Sequence, residues 1–458
     1  MADVRKYTDT LARARGRAPA CFVMTFGCQQ NVADSEKLSG MAREMGYAIT
    51  SLPVEADLIL VNTCAFREHA ENKALSTVGQ YKKLAEKNPN LVIGVCGCMV
   101  AQEHRRAQLR ASYPYVDFVL GTSVLHRLPE TMLRIFREKK RRFEALEECV
   151  IAEGVPILRE STYRAFVSIM YGCNNFCSYC IVPYVRGRER SREPADIIAE
   201  VRELVANGCR DITLLGQNVN SYGKEREDGY DFARLLADLD AIDGDFLLRF
   251  MTSHPKDASR ALIDVMASGR HIARHFHLPL QSGSDDVLRR MNRRYDREKY
   301  LQTLDYMREK MPDITVTSDI IVGFPGETDA DFDDTISMLE RARFDMIYSF
   351  IYSPRKGTPA AAMEDQIPRA VQNARFDRLL ATQEGIAQHA NDKMVGACVR
   401  VLCDGVSKTD ERMLSGRTEG NKIVFFPDDG TPAGVFVTVK IDRAAPFALY
   451  GTHENEKS

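Results

Sequence analysis

Nowhere in the 458 residues is there an uninterrupted apolar run of membrane-spanning length, so no segment reads as a membrane helix. A charge imbalance is also lacking: 62 Lys and Arg stand against 64 Asp and Glu, for a formal net charge of −2. A field of one sign over the whole molecule is thereby excluded, and a polyanionic partner has to be met by local basic patches. Internal repeats and low-complexity tracts are missing, which excludes a solenoid. Residues 1–17 carry charge but no apolar stretch, so they do not read as an export signal; residues 1–18 are expected to be a frayed leader. Without an export signal, the twelve cysteines are not expected to form a disulfide framework. As thiols they are free to bind metal or to do redox work.

What is present is an alternation of short apolar runs with longer helical stretches. Runs at 20–26, 58–62, 91–95 and 116–120 read as buried strands, with helices near 34–45, 69–87 and 101–111 between them and a basic helix over 129–142. This is the pattern of βαβ units and a parallel sheet. A second alternation follows, with strands at 165–171, 211–216, 246–251, 275–280, 315–322 and 346–352. Six β/α units are too few for an eight-stranded barrel and suit a partial, open one. A helix over 370–391 leads to short strands at 398–403, 422–426 and 434–441, separated by Gly, Pro, Asp and Asn, which read as a small all-β barrel. The expected fold is α/β: a Rossmann-like parallel sheet domain over 19–145, a linker over 146–160, a partial (β/α)6 barrel over 161–388, an all-β module over 389–452 and a tail over 453–458.

YGCNNFCSYC places Cys173, Cys177 and Cys180 as C-x3-C-x2-C after a strand. Three thiolates hold three irons of a four-iron cluster and leave the fourth open to a substrate or cofactor. Zinc sites favour paired C-x2-C units instead. The place is that of an active site, because β/α barrels react at the carboxyl ends of their strands.

Cys28, Cys64 and Cys98 each follow a strand of the first domain, in TFGCQQN, VNTCAFRE and VCGCMVAQ. Loops at the carboxyl ends of neighbouring parallel strands converge in one crevice, so three cysteines far apart in sequence are expected to meet. The bland alternative is three buried apolar thiols. Cys96 competes with Cys98. Both fall on one side of an extended chain by parity, and Cys98 is preferred because Cys96 lies nearer the strand interior.

The C-x3-C-x2-C motif, with Tyr179 before its last cysteine, resembles the radical-SAM superfamily. That resemblance implies S-adenosylmethionine on the open iron and its cleavage to a 5′-deoxyadenosyl radical, with the hard chemistry belonging to the cofactor. Together with the three cysteine loops of the first domain, IVPYVRGRERSR (181–192), HLPLQSGS (277–284), IIVGFPGET (320–328) and YSPRKGTPAA (352–361) resemble the methylthiotransferases over nearly the whole chain. GRTEGN (416–421) and LYG (449–451) resemble a TRAM domain, a module that binds RNA. Among three branches, TFGCQQN and VPYVRGRERSR look like the MiaB type. The other branches, acting on threonylcarbamoyladenosine of tRNA or on an aspartate of a ribosomal protein, carry Lys or Pro where this chain has Gln29. Gln30 and Phe66 depart from the usual Met and Val without touching the thiolates or Asn31.

The resemblance implies two 4Fe-4S clusters, one on Cys173, Cys177 and Cys180 and an auxiliary one on Cys28, Cys64 and Cys98. One S-adenosylmethionine gives the methyl group and another the radical. The auxiliary cluster supplies sulfur for C2 of N6-isopentenyladenosine at position 37, in the anticodon stem-loop of tRNA. An electron donor such as flavodoxin or ferredoxin, a cytoplasmic location and a monomer go with it. A non-catalytic, metal-containing RNA-binding protein accounts for the basic loops and the tail module, but not for two sets of only three cysteines.

Other residues take lesser roles. Tyr179, Gln217, Ser253 and Gly323 are candidates for contacts to S-adenosylmethionine. Arg186, Arg188, Arg190 and Arg192 fall on one side of an extended segment beside the cluster loop and are candidates for tRNA phosphates or the cofactor; a solvated face is the alternative. Arg289, Arg290, Arg293 and Arg294 have helical spacing and read as a surface face, with RNA contact the alternative, and Lys139 to Arg142 is a similar, weaker basic cluster. His254, His275 and His277 are expected to be satisfied histidines rather than a metal triad. Cys149, Cys209, Cys398 and Cys403 read as structural thiols.

Overall fold

The computed structural model describes residues 1–66, 68–144 and 150–454; Cys149 and most of the expected tail lie outside them. The chain divides into two compact units. The first is Met1–Glu160 with Met170–Asn174 and Cys180–Arg192, and the second is Ser161–Ile169, Asn175–Tyr179 and Glu193–Ser458. Two pieces of the segment expected as one barrel domain therefore belong to the first unit, and the C-terminal module packs within the second.

The first unit is built on β1 (Ala20–Thr25), β2 (Ala48–Ile49), β3 (Leu58–Thr63), β4 (Val92–Gly97), β5 (Phe118–Leu120) and β6 (Arg142–Glu144), in the order β2-β1-β3-β4-β5-β6. Every pairing is parallel. Its strands are apolar on both faces because both are covered. Cys21, Leu58, Leu60, Cys96, Phe118 and Leu120 face one core, and Phe22, Ile59, Val61, Ile93, Val95 and Val119 the other. Two expectations are corrected. The basic segment is a helix over Leu128–Glu138 followed by β6, which adds a strand to the sheet edge. The leader is a helix, Ala2–Arg15. Val4 is 1% exposed, Thr8 Oγ1 donates to the Met45 carbonyl at 2.7 Å, and Tyr7 stacks on Phe136 at 5.4 Å. Val4, Tyr7, Thr8 and Leu11 recur at helical spacing, a face that a search for contiguous apolar residues misses.

The second unit opens with β7 (Arg164–Ser168). The short strands β8 (Met170–Tyr171) and β9 (Arg190–Ser191) pair antiparallel within the first unit. The other barrel strands are β10 (Asp211–Leu215), β11 (Leu247–Phe250), β12 (His275–His277), β13 (Thr315–Val322) and β14 (Met346–Ile351). They form two parallel three-stranded sheets, β11-β10-β7 and β12-β13-β14, linked by a parallel bridge from Leu248 to Ile272. This is the six-stranded open barrel. The strand expected at 275–280 stops at His277 because Pro279 has no amide to give the ladder.

The C-terminal strands β15 (Cys398–Val406), β16 (Met413–Thr418), β17 (Ile423–Pro427), β18 (Phe436–Ala445) and β19 (Ala448–His453) close a barrel in the order β15-β16-β17-β19-β18. Two of them, β16 and β19, lie beyond the three runs read from the sequence and complete the closure. Arg249 on β11 donates to the Glu419 and Thr418 carbonyls at 2.6 and 3.0 Å while bonding Asp211 at 3.0 Å, so this module is tied to the base of the open barrel.

Candidate functional site

In the first unit the loops after β1, β3 and β4 bring Cys28, Cys64 and Cys98 together. Gly27 has φ 125°, and a Cβ there would lie 2.8 Å from Cys64 Cβ, so the first loop crosses directly over the second. Cys28 is the N-cap of the helix Gln29–Glu44 and is exposed, while Cys64 and Cys98 are buried. Asn31, on the first turn of that helix, donates to the Thr63 carbonyl at 2.8 Å. Asn62 donates back to the Asn31 carbonyl at 2.8 Å, and the Cys98 amide bonds the Thr63 carbonyl at 2.9 Å. The cysteine loops are thus laced by buried, satisfied polar groups, an arrangement that fixes geometry.

Cys96 and Cys98 do not share a side. Gly97 has φ 98° and turns the chain between them. Cys96 points into the core with Cys21, whereas Cys98 packs with Ala65, Ala101, Ile181 and Val185. Burial pushes the Cys98 thiol up to about 12; Arg186 opposes this, and Cys64 and Cys28 add to it. Such a thiol keeps its proton at neutral pH and releases it to solvent only when a metal takes the proton's place on sulfur. The Phe66 amide lies 3.3 Å from Cys64 Sγ and donates to it.

Arg186 stands behind this set. It is 5% exposed and donates to Asp34 Oδ2 at 2.9 Å and Asn31 Oδ1 at 3.3 Å. Arg192 is also buried and is held by Glu153 at 2.7 and 2.8 Å. Arg190 lies in β9 and donates to the Arg186 carbonyl at 3.3 Å, and Arg188 is exposed. The expected row of four arginines open to an outside anion is therefore corrected: Arg186 and Arg192 are committed to internal carboxylates.

Cys173, Cys177 and Cys180 occupy one loop. A Cβ on Gly172 would lie 2.0 Å from the Arg188 carbonyl oxygen, and the Cys173 amide bonds the Gly187 carbonyl at 3.1 Å, so the start of the loop is pinned by close backbone packing. In the second unit its middle rests on residues 290–293. The Ser178 amide bonds the Met291 carbonyl at 3.0 Å, Ser178 Oγ bonds the Arg290 carbonyl at 2.9 Å, and Asn292 Nδ2 donates to the Asn175 and Phe176 carbonyls at 3.2 and 3.0 Å.

Arg293, assigned above to a surface face, is corrected. The helix Asp285–Arg290 ends before it, Asn292 has φ 59°, and the side chain turns inward to 4% exposure. Its Nη1 donates to Cys177 Sγ at 3.3 Å. Its position beyond a helix end was the one available signal, and helical periodicity hid it. Arg289 is exposed and pairs with Asp286, and Arg290 pairs with Asp365.

At the carboxyl ends of β10 and β11, several buried polar atoms have no hydrogen-bond partner among the described residues. They are Ser253 Oγ, His254 Nε2, Asn218 Oδ1 and both amide atoms of Asn220. Thr252 has φ 71°, a costly conformation for a β-branched residue that marks functional strain. Orphaned buried groups at a barrel mouth fit a polar ligand, as S-adenosylmethionine is. His254 Nδ1 accepts the Lys256 amide at 3.3 Å, which leaves Nε2 as the protonated nitrogen of the neutral ring. Gln217 follows β10 and is half-buried, and Tyr179 packs beside Val287, Met291, Ile321 and Phe324. Gly323 has φ 73°, and a Cβ there would meet Gln372 at 2.5 Å, so the group that approaches its backbone is Gln372.

His275 and His277 both bond Thr317 Oγ1, at 2.9 and 3.0 Å. Among the described residues no three His, Cys, Asp or Glu side chains converge on a point that would hold a single metal ion. A cluster spreads its thiolates over different irons, so the two cysteine sets fit that kind of group by their donor chemistry. Cys209 and Cys403 are buried and Cys398 is exposed.

Comparison with known proteins adds to this geometry. Three family descriptions match: "Uncharacterized protein family UPF0004" over residues 20–121, "Radical SAM superfamily" over 167–339 and "TRAM domain" over 392–453. The tRNA-2-methylthio-N(6)-dimethylallyladenosine synthase of Caldicellulosiruptor saccharolyticus is 48% identical over 98% of this chain and 95% of its own. That of Alkaliphilus oremlandii is 49% identical over 98% and 96%. Among solved structures, the radical S-adenosylmethionine methyltransferase TsrM of Kitasatospora setae superposes with a TM-score of 0.55 at 13% identity, covering 75% of each chain, a likeness of fold alone.

Proposed function

We propose, from the premise that this chain belongs to the family of the tRNA-2-methylthio-N(6)-dimethylallyladenosine synthases, that it is a radical-SAM methylthiotransferase acting on N6-isopentenyladenosine at position 37 of tRNA. The net change is replacement of the hydrogen on C2 of the adenine by a methylthio group. One S-adenosylmethionine is the methyl donor, another the radical source, and the auxiliary cluster the sulfur source. The observation that carries this reading is the meeting of Cys28, Cys64 and Cys98 beside Arg186, a second three-thiol site in a chain that already has one on a single loop.

When bound, the two 4Fe-4S clusters and S-adenosylmethionine supply the electron, the radical and the transferred group. The protein's own part is binding and orientation. Cys173, Cys177 and Cys180 hold one cluster, and Cys28, Cys64 and Cys98 the other. The Asn31–Asn62 pair keeps the auxiliary loops in register. Ser253, His254, Asn218 and Asn220 offer hydrogen bonds at the barrel mouth to the polar groups of S-adenosylmethionine, with Tyr179 and Gln217 as further contacts. The C-terminal barrel and the exposed Arg188 meet the anticodon stem-loop. Flavodoxin or ferredoxin is the electron donor, and the enzyme works as a monomer in the cytoplasm.

The test is an anaerobic reaction of the reconstituted full chain with S-adenosylmethionine, a strong reductant and tRNA from cells lacking methylthio modification, read by mass analysis of the nucleosides. A methylthio gain on isopentenyladenosine, from protein holding about eight irons per chain, is the expected result. A gain only on threonylcarbamoyladenosine would move the substrate. Stoichiometric zinc without iron would overturn the enzyme reading.

A further inference from the structure

The helix Gln29–Glu44 starts from Cys28, its N-cap. Asn31, Asp34 and Lys37 recur on it every third residue, a stripe along one side. All three reach the arms of chain that lead into and out of the C-x3-C-x2-C loop, Met170–Asn174 and Cys180–Arg192, which belong to the same compact unit as this helix. Arg186 on the outgoing arm donates to Asn31 Oδ1 at 3.3 Å and to Asp34 Oδ2 at 2.9 Å. Gln30 Nε2 donates to the other carboxylate oxygen of Asp34 at 3.2 Å. On the incoming arm, Tyr171 Oη accepts from Lys37 Nζ at 2.9 Å. The arms are joined to each other: Tyr171 pairs with Arg190 and Met170 with Ser191 across β8 and β9, and the Cys173 amide bonds the Gly187 carbonyl at 3.1 Å. One helix therefore carries a cysteine of the auxiliary set at its tip and grips the stem from which Cys173 and Cys180 project. Cys28 and Lys37 are separated by about 14 Å along its axis, at 1.5 Å per residue.

We propose that this stripe is a gauge: Asp34 and Lys37 are positioning residues that fix the spacing of the two three-cysteine sets, and thereby couple hydrogen abstraction to methylthio transfer. The inference rests on the proposed function and deepens it. Transfer requires sulfur held at one set to reach the carbon whose hydrogen is removed by chemistry at the other. Relative placement is therefore part of the reaction, and a displacement of about 1 Å can cost on the order of a hundredfold. Cohesion alone does not call for these groups. The Arg186 and Asp34 side chains are each 6% exposed, and a buried ion pair adds little stability over apolar residues of the same volume. What a directional pair specifies is register. The apolar part of the same junction, Cys98 with Ile181 and Val185, is non-directional, so it holds the outgoing arm close without setting its height along the helix. Lys37 and Tyr171 set that height for the incoming arm, as Asp34 and Arg186 do for the outgoing one. Neither Asp34 nor Lys37 is a cluster ligand.

The experiment reconstitutes full-length Lys37→Met and Tyr171→Phe anaerobically beside the parent. Iron per chain is measured first. The magnetic interaction between the two reduced clusters is then read from electron paramagnetic relaxation, with the Cys28→Ala, Cys64→Ala, Cys98→Ala protein as the reference for a lone cluster. Finally, 5′-deoxyadenosine and methylthio nucleoside are quantified on tRNA carrying isopentenyladenosine. The expected result is parent iron and parent formation of 5′-deoxyadenosine, a weakened interaction, and methylthio product per 5′-deoxyadenosine lowered on the order of tenfold in Lys37→Met. The drop should be smaller in Tyr171→Phe, where the ring stays beneath the ammonium, 5.5 Å from its centroid. A loaded Lys37→Met protein in which either the interaction or the product ratio stays at the parent value would overturn the inference. If Lys37→Met does not load, Tyr171→Phe, which lacks only a hydroxyl, decides by the same two readouts. Should neither load, the contact holds the fold rather than the spacing, and the inference fails. If the loaded parent itself makes no methylthio product, the proposed function fails instead, and the magnetic interaction alone decides whether the stripe sets the spacing.

Discussion

Gly97 shows how much one backbone angle decides. At φ 98°, with a would-be Cβ 2.4 Å from the Thr63 carbonyl oxygen, it is the hinge that sends Cys96 into the core and Cys98 to the loop edge. Gly97→Ala is expected to lower stability by about 1–3 kcal/mol for the backbone conformation alone, as read in denaturant titration, and to reduce iron held by the auxiliary set. Retention of both stability and iron would show that the loop re-forms without this turn. Parity along the strand favours neither cysteine, because it presumes that the extended chain continues through Gly97. Replacing Cys28, Cys64 and Cys98 together by Ala is expected to halve the iron, leave formation of 5′-deoxyadenosine intact and abolish the methylthio product. Product surviving in the triple variant would remove the auxiliary site from the mechanism.

At the scale of elements, β12 and β13 carry His275 and Thr317 in the barrel interior. Burial, aided by Arg249, pushes the His275 imidazole down to about 3, against an ordinary value near 6.5. An unfolded chain therefore takes up a proton between about pH 6.5 and 3 that the folded one refuses. The contribution to stability is fully present above about pH 6.5 and is lost as pH falls toward 3. The expected magnitude over that window is on the order of a few kcal/mol. Denaturant titrations at pH 7.5 and pH 5 should show a shallower loss of stability in His275→Gln than in the parent; equal slopes would mean that the ring is not held neutral. The elements themselves were largely legible, since six barrel strands and their helices follow from apolar periodicity. The helix Ala2–Arg15 was not, because its core contact rests on a few residues of a polar segment, a face that is only meaningful once Met45 and Phe136 are there to receive it.

At the scale of the whole molecule, the C-terminal barrel is built into the second unit. Arg164 pairs with Asp404 at 2.8 Å, Lys422 with Asp345 at 2.7 Å, and Arg249 needs two carbonyls of the barrel. A chain ending at residue 392 is expected to melt several degrees below the full chain, because buried Arg249 loses two acceptors at once. Scanning calorimetry of the two checks this, and an unchanged midpoint would make the barrel an independent appendage. By itself the sequence determined the fold classes, the order of most elements and the loops that carry six cysteines, because periodicity and spacing are local properties of the chain. Only the tertiary structure decided what the arginines do. Whether a guanidinium meets water, a carboxylate or a thiol depends on partners far away in sequence, 152 residues for Arg186 and Asp34 and 116 for Arg293 and Cys177, and no local pattern encodes which of them folding will bring within reach.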